Sequence, residues 1–170
     1  MADGESVPRL VLISGATGVG KTTLAKAVAH ELGLARIASS DTIREVMRAT
    51  ASDSNPALNR SSYGRGDVGD AGTDWEDAAR AVEPGIDAVV ERARRQGVDL
   101  VLEGVHVIPS RRLLSAWEGA GGAAVGIVVK IEDEGTHRER IEQREANTWR
   151  HTSRVNIWAR RKVAFVRLRP

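Results

Sequence analysis

The chain has 170 residues, of which 41% are hydrophobic and 28% are charged, as expected for a domain large enough to bury its own core. It contains no cysteine, which excludes disulfide frameworks and cysteine metal sites. Its apolar runs are too short to span a bilayer, and residues 1–8 are acidic and lack the apolar core of a signal peptide. We therefore expect one domain over residues 1–170, located in the cytoplasm and without a membrane partner.

Charge is unevenly distributed along the chain, although the net charge is only +2. Residues 1–145 contain 23 acidic and 18 basic residues, a net charge of −5, whereas residues 146–170 contain seven basic residues and no acidic one, a net charge of +7. This basic C-terminal segment is predicted to be helical over about residues 153–166. It either contacts a polyphosphate, a nucleic acid or an acidic partner, or its arginines are simply solvated.

Apolar runs alternate with helical patterns, which predicts a three-layer α/β domain with a mostly parallel sheet. Strands are predicted at residues 10–14, 35–39, 98–102 and 124–131. Helices are predicted at residues 21–33, 41–50, 73–95, 110–117 and 134–145, and Pro84 should kink or split the third of these. Residues 53–72 have no helical or strand period, which indicates a functional or disordered loop.

The most specific pattern, G-x-x-x-x-G-K-[ST], joins the first predicted strand to the first predicted helix. It is filled by Gly15, Ala16, Thr17, Gly18, Val19, Gly20, Lys21 and Thr22. Glycines at these positions let backbone N–H groups point at phosphate oxygens, while the lysine and the hydroxyl approach the terminal phosphates and Mg²⁺ respectively. We predict a site for Mg²⁺ and a nucleoside triphosphate, ATP or GTP, that also includes Thr23.

Asp41 follows the second predicted strand, and ligands bind at the carboxyl ends of strands in parallel α/β sheets. Its carboxylate can accept a hydroxyl proton, orient an acceptor or hold Mg²⁺ through water, or it can cap the next helix. Ser40 could supply that cap instead. Arg44 lies on the same helix face as Asp41, where it is either part of an acceptor site or a surface residue.

Glu103 ends the third predicted strand, where phosphate-loop proteins place the acidic residue that completes the magnesium site. His106, three residues later, either binds a substrate phosphate or caps a loop. The last predicted helix before the basic segment carries Arg138, Arg140 and Arg144. These arginines either close over the transferring phosphates, with Arg140 on the nucleotide, or belong to a salt-bridged surface helix.

Several segments of the chain, spread over most of residues 9–145, resemble the kinase domain of 2-phosphoglycerate kinases. They are the phosphate loop, S-S-D-T-I-R-E-V-M-R at 39–48, S-S-Y at 61–63, V-L-E-G-V-H-V-I-P at 101–109, and E-D-E at 132–134 with H-R at 137–138. The resemblance implies a P-loop NTPase fold of the nucleoside-monophosphate-kinase type with a helical lid. It further implies ATP, Mg²⁺ and phosphoryl transfer to a small hydroxylated acceptor. The acceptor-site residues that it implies are Asp41, Arg44, Ser61, Ser62, Tyr63, Glu103 and His106.

The phosphate loop and the Asp41 segment are also similar to chloramphenicol phosphotransferase and related antibiotic O-phosphotransferases, in which the matching Asp acts as base toward a drug hydroxyl. That similarity implies an alternative, a self-resistance kinase acting on a nucleoside or related antibiotic.

Two functions from other classes are disfavoured by the sequence. A regulatory GTPase would carry N-K-x-D, but none of the four lysines follows an asparagine. A nucleic-acid-dependent ATPase or end-processing kinase would use stacking aromatics, which are few. We expect a triphosphate and a small acceptor as partners and no nucleic acid, with the oligomeric state open to include a homodimer.

Overall fold

The computed structural model describes residues 7–51, 56–59 and 71–146, and the side chains of residues 71, 72 and 144–146 are not described. The elements in chain order are β1 (Arg9–Gly15), α1 (Lys21–Glu31), β2 (Ile37–Ser39), α2 (Ser40–Thr50), α3 (Pro56–Asn59), α4 (Ala71–Arg95), β3 (Leu100–Glu103), α5 (Arg111–Glu118), β4 (Ala123–Val129) and α6 (Glu134–Ala146). None of the helices within these ranges is long and apolar enough to cross a membrane.

The four strands form one sheet in the order β2-β3-β1-β4, and every neighbouring pair is parallel. β1 and β3 are the two central strands. Their sequences are short apolar runs because helices cover both faces of these strands. The parallel sheet predicted from the sequence is therefore confirmed. Its central strand β1 leads directly into the phosphate loop.

Alternate residues of β1 point to opposite faces of the sheet and enter two separate hydrophobic clusters. Leu10 and Leu12 pack in the cluster that includes residues of α4 and α5, whereas Val11 and Ile13 pack with Ala25 and other residues of α1. Helices thus lie on both faces of the sheet, which gives the predicted three layers.

Two local expectations about the helices are corrected by the structure. A four-residue helix, α3, lies within the segment predicted to be irregular, and its Leu58 is buried in the cluster that also contains Val82. One turn of helix is too short to show a sequence period, and burial of a single leucine against α4 decides its position. Helix α4 also continues through Pro84 as one element, so the proline does not split it.

Every predicted strand and helix boundary within the described residues agrees with the structure to within two residues. Among the strands, β2 begins at Ile37 rather than residue 35, and β3 is shifted to Leu100–Glu103. This shift puts Glu103 inside β3, at its last position. The predicted C-terminal helix over about residues 153–166 lies outside the described residues.

Arg9 and Asp99 join the beginning of β1 to the residue preceding β3. The guanidinium Nη2 and the backbone N–H of Arg9 each donate a hydrogen bond to the Asp99 carboxylate at 2.7 Å. The Arg9 side-chain hydrogen bond is the main cause that holds the pKa of Asp99 below its ordinary value of 3.8. A carboxyl with a lowered folded-state pKa stabilises the protein above its unfolded-state pKa, and this stabilisation is lost as the pH falls.

Asp99→Asn should lower the free energy of unfolding by about 1–2 kcal/mol at pH 7, because charge-assisted hydrogen bonds are lost. The difference from the unaltered chain should shrink below about pH 4, where the carboxyl of the unaltered chain also becomes protonated. Urea unfolding at pH 7 and pH 3 measures both. Glu132→Gln is the control, since Glu132 pairs with Lys130 on the surface and is 80% exposed, so its loss should leave stability unchanged. Equal effects of the two substitutions at pH 7 would contradict the assignment.

Candidate active site

The ends of three neighbouring strands bring the predicted site residues together at one edge of the sheet. Glu103, the last residue of β3, is in register with Ile13 of β1 on one side and with Ser39 of β2 on the other. The N–H of Gly104 donates to the carbonyl oxygen of Ile13 at 3.0 Å, which continues the ladder past the strand end. The segments that follow β1, β2 and β3 therefore start side by side.

The phosphate loop ends in a helix whose first turn is suited to an anion. α1 begins at Lys21, its N-cap is Gly20, and in the described residues no side chain caps it and its first turn contains no acid. Backbone N–H groups at such a terminus, with the positive end of the helix dipole, attract phosphate oxygens. Lys21 is 7% exposed, and its Nζ donates to the carbonyl oxygen of Ala16 at 2.6 Å, which keeps the ammonium inside the loop.

Thr22 and Glu103, the two residues predicted to hold Mg²⁺, lie in contact with each other. The Thr22 hydroxyl donates to Glu103 Oε1 at 3.1 Å, and Glu103 is 6% exposed. Magnesium takes oxygen ligands at about 2.0–2.1 Å in an octahedron, so two adjacent ligand oxygens lie about 3 Å apart. Mg²⁺ usually binds one or two protein groups and keeps phosphates and water as its other ligands, so two side chains can be enough to hold it. These two side chains fit the ion.

Asp41 comes two residues after Ser39, which is in register with Glu103 at the end of the sheet. The cap of α2 is Ser39, whose Oγ accepts the N–H of Asp41 at 3.3 Å. Both capping alternatives, Asp41 and Ser40, are therefore wrong, because the chain is already helical at Ser40. The Asp41 side chain is 54% exposed and is available to an acceptor. Arg44 is partly buried one turn later on the same helix.

His106 is buried and lies next to Asp41. Its side chain is 1% exposed, and Nδ1 lies 3.4 Å from Ser40 Oγ and 3.6 Å from Asp41 Oδ1. The backbone N–H of His106 also donates to Ser40 Oγ, at 3.4 Å, and Ser40 itself is fully buried. These contacts involve protein atoms, and contact of His106 with an acceptor stays a prediction.

Gly104 allows the loop after β3 to approach the start of α2. Its φ is +151°, and a Cβ at this position would lie 1.8 Å from Ser40 Oγ and 2.7 Å from Ser40 Cβ. Only glycine fits here without movement of α2. Sequence reasoning missed both Gly104 and Ser40 as residues that shape the site, although the glycine directly after Glu103 was the available signal.

Helix α6, which we call the lid helix, rests on the phosphate loop. It starts where Asp133 Oδ2 accepts the N–H of Thr136 at 2.6 Å, a typical N-terminal cap. His137 Nε2 lies 2.8 Å from the carbonyl oxygen of Thr17. Ile141 is buried, and a Cβ at Gly18, where φ is +80°, would lie 2.6 Å from its Cγ1. The lid helix is thus packed directly against the loop.

The structure describes the positions of the three predicted arginines of the lid helix in different detail. Arg140 Nη1 lies 3.7 Å from the position that a Cβ at Gly20 would take, so it reaches the last turn of the phosphate loop. Arg138 is exposed. Arg144 lies in the helix but its side chain is not described. The role of each on a nucleotide stays a prediction.

For the remaining predicted site residues, the structure gives the burial of some and does not describe others. In the phosphate loop Val19 is buried and in α1 Thr23 is exposed. Ser61, Ser62 and Tyr63 lie outside the described residues, as does the basic segment beyond residue 146. In the sequence His137 is recognisable only as part of the H-R pair, and no local pattern predicts its contact with the loop.

A lid helix held by His137 should strengthen nucleotide binding. One hydrogen bond contributes about 0.5–1.5 kcal/mol, so His137→Ala should raise the Kd for ATP with Mg²⁺ about 2- to 10-fold. Isothermal titration calorimetry measures it. His30→Ala is the matched control, because His30 is exposed in the last turn of α1, away from the loop, and should leave the Kd unchanged. An unchanged Kd in His137→Ala would show that the contact does not support binding.

A family model described as an AAA domain matches residues 10–163, which is most of the chain. The chain belongs to this AAA domain family. The match extends from β1 through the phosphate loop, β3 and the lid helix, and so covers every residue of the site described above.

The same AAA domain is similar to curated 2-phosphoglycerate kinases of archaea. It is 33% identical over 154 residues to that of Methanothermobacter thermautotrophicus, covering 84% of this chain and 49% of the relative. It is 35% identical over 158 residues to that of Methanopyrus kandleri, covering 83% of this chain and 45% of the relative. The resemblance predicted from the sequence motifs is confirmed, and the chain spans about half the length of these relatives.

The fold of the AAA domain also matches a solved gluconokinase from Sinorhizobium meliloti 1021. The TM-score is 0.52 at 14% identity, and the match covers 93% of this chain and 75% of that one. At this identity the likeness concerns the fold alone. It confirms the predicted three-layer P-loop fold of the nucleoside-monophosphate-kinase type.

Proposed function

We propose that this AAA domain is an ATP- and Mg²⁺-dependent kinase that phosphorylates the free hydroxyl of 2-phosphoglycerate. One observation carries the proposal: the half-exposed carboxylate of Asp41 stands at the same sheet edge as the phosphate loop and the Thr22–Glu103 pair. This arrangement supports the proposal because a carboxylate, which can receive a proton, lies at the same edge as groups that suit a triphosphate.

The donor half of the site consists of the phosphate loop and the N-terminus of α1. Backbone N–H groups hold the β- and γ-phosphates, and Lys21 exchanges its hydrogen bond to the Ala16 carbonyl for phosphate oxygens. Thr22 and Glu103 would hold Mg²⁺, and the bound ion would supply positive charge to the phosphates. Arg140, beside Gly20, adds a second positive charge from the lid helix.

Transfer requires the acceptor hydroxyl to be aligned with the γ-phosphorus. The hydroxyl oxygen forms a bond to that phosphorus, the bond to the β,γ-bridging oxygen breaks, and ADP leaves. Asp41 accepts the hydroxyl proton as this happens. Packing of the lid helix on the phosphate loop keeps water from competing with the acceptor.

An anionic acceptor suits the charges around Asp41. Arg44 is on the same helix one turn later and is partly buried, so its guanidinium can pair with a carboxylate or a phosphate. 2-Phosphoglycerate carries both groups beside its one hydroxyl. The relatives at 33% and 35% identity carry the name of the same activity, which supports the choice among anionic acceptors.

The proposal is tested by ATP consumption with a panel of acceptors and the full chain. We expect 2-phosphoglycerate to stimulate ADP release well above the rate with water alone, and the isomer 3-phosphoglycerate to stimulate it much less. Nucleoside and aminoglycoside antibiotics complete the panel. Turnover with an antibiotic and none with 2-phosphoglycerate would overturn the acceptor assignment. No turnover with any acceptor at saturating ATP would overturn the kinase assignment.

A further inference from the structure

His106 is a buried polar residue that the proposed transfer step does not use. Its side chain is 1% exposed, although a histidine normally costs free energy to bury unless its ring nitrogens have partners. Nδ1 faces two oxygens, Ser40 Oγ at 3.4 Å and Asp41 Oδ1 at 3.6 Å. The His106 ring thus lies between the protein interior and the Asp41 carboxylate, which in the proposed function faces the acceptor.

The Asp41 carboxylate needs a positioning contact. It lies in the first turn of α2, its backbone N–H is fixed by Ser39, and its side chain is 54% exposed. An exposed aspartate samples several rotamers, and a shift of about 1 Å in a catalytic group can lower a rate about 100-fold. A buried neighbour whose own place is fixed by the fold can select one of these rotamers.

We infer that His106 is a positioning residue, whose Nδ1–H donates to Asp41 and holds that carboxylate toward the acceptor hydroxyl. The inference rests on the proposed function of Asp41. The distance of 3.6 Å is longer than a hydrogen bond, and catalytic hydrogen bonds commonly shorten when substrates bind. A ring N–H that donates to Oδ1 leaves the other carboxylate oxygen as the proton acceptor.

The Asp41 carboxylate favours a proton on Nδ1. Ser40 Oγ accepts the backbone N–H of His106, so this hydroxyl oxygen already fixes the main chain of the loop. A carboxylate can only accept, and it favours the ring tautomer that donates to it. In the opposite tautomer the Ser40 hydroxyl would donate to Nδ1, and Asp41 would face a lone pair.

The loop that carries His106 also begins at the magnesium-site carboxylate. Glu103 is the last residue of β3, Gly104 then begins the loop and touches Ser40, and His106 follows two residues later. The positions of Glu103 and Asp41 are therefore coupled through one short, buried stretch of chain. A positioning residue on this stretch therefore sets the position of Asp41, the proposed base, relative to Glu103 of the proposed magnesium site.

The protonation of the ring can be observed without any acceptor. Long-range ¹H–¹⁵N spectra of the full chain, with the His106 signals identified by their loss in His106→Asn, report which ring nitrogen carries hydrogen. We expect Nδ1 to be protonated at pH 7 in the presence of ATP and Mg²⁺. A ring with hydrogen on Nε2 alone would overturn the inference, whatever the acceptor of the kinase proves to be.

A pair of polar variants tests the effect on transfer to 2-phosphoglycerate. His106→Asn places an amide N–H near the position of Nδ1, whereas His106→Gln places it near Nε2 and serves as the matched control for loss of the ring. We expect kcat to fall less than about 3-fold in the first and about 10- to 100-fold in the second, with the KM for ATP unchanged in both. Equal kcat values for the two variants would overturn the inference. If no acceptor is turned over, the proposed function fails and the tautomer measurement still decides the position of the proton.

Discussion

Asp41→Asn should lower kcat for phosphoryl transfer about 10²- to 10⁴-fold while leaving the Kd for ATP with Mg²⁺ nearly unchanged. General base catalysis contributes this range, and asparagine keeps the shape of the side chain but cannot take the proton. The nucleotide affinity should persist because the phosphate loop and Thr22 are the groups proposed to hold the triphosphate, and Asp41 lies in α2, after a different strand.

Glu45→Gln is the matched control for this substitution. Glu45 is one turn further along α2, is exposed, and pairs on the surface with Arg48, so its neutralisation should leave kcat unchanged. Rapid-quench single-turnover kinetics separates the transfer step from product release. If Asp41→Asn transfers phosphate at the unaltered rate, Asp41 is not the base and the acceptor site must lie elsewhere.

Gly104→Ala should lower the free energy of unfolding by about 2–4 kcal/mol and reduce activity in the molecules that remain folded. A Cβ at Gly104 would lie 1.8 Å from Ser40 Oγ, a distance that buried atoms never reach, so α2 must move. Forcing extra atoms into a packed interior costs about 1–3 kcal/mol, and a φ of +151° adds a backbone cost of about 1 kcal/mol or more.

Gly121→Ala isolates the backbone part of this effect. Gly121 also has a positive φ, +86°, but a Cβ there would meet nothing within 4 Å. It should therefore lose only about 1 kcal/mol and keep full activity. Guanidinium unfolding and kcat measurements for both variants test the comparison. Equal losses of stability would mean that the contact with Ser40 relaxes without cost.

Some features of the site could be predicted from the sequence because they depend on residues close together in the chain. The phosphate loop needs glycines, Lys21 and Thr22 at fixed spacing, and this spacing alone determines which groups face a phosphate. The alternation of short apolar runs with helical periods likewise determined the parallel sheet, and in such a sheet Asp41 and Glu103 follow strand ends at one edge.

Other features could not be predicted from the sequence because they form only when the chain folds. The cap of α2 is Ser39 rather than Ser40 because the strand ends there and the backbone turns, which the neighbouring serines do not distinguish. The position of α3 depends on burial of one leucine against α4. Segments without a long local period are decided by packing rather than by propensity.

The sequence by itself determined the family, the fold class and the groups that suit a triphosphate with Mg²⁺. Each of these depends on motifs whose residues lie close together along the chain. Only the tertiary structure decided which side chains support them. His106 meets Ser40 across 66 positions in the sequence, and His137 meets Thr17 across 120. Contacts at such separation follow from strand order and helix packing, because burial of the core brings these segments together, and no local pattern encodes them.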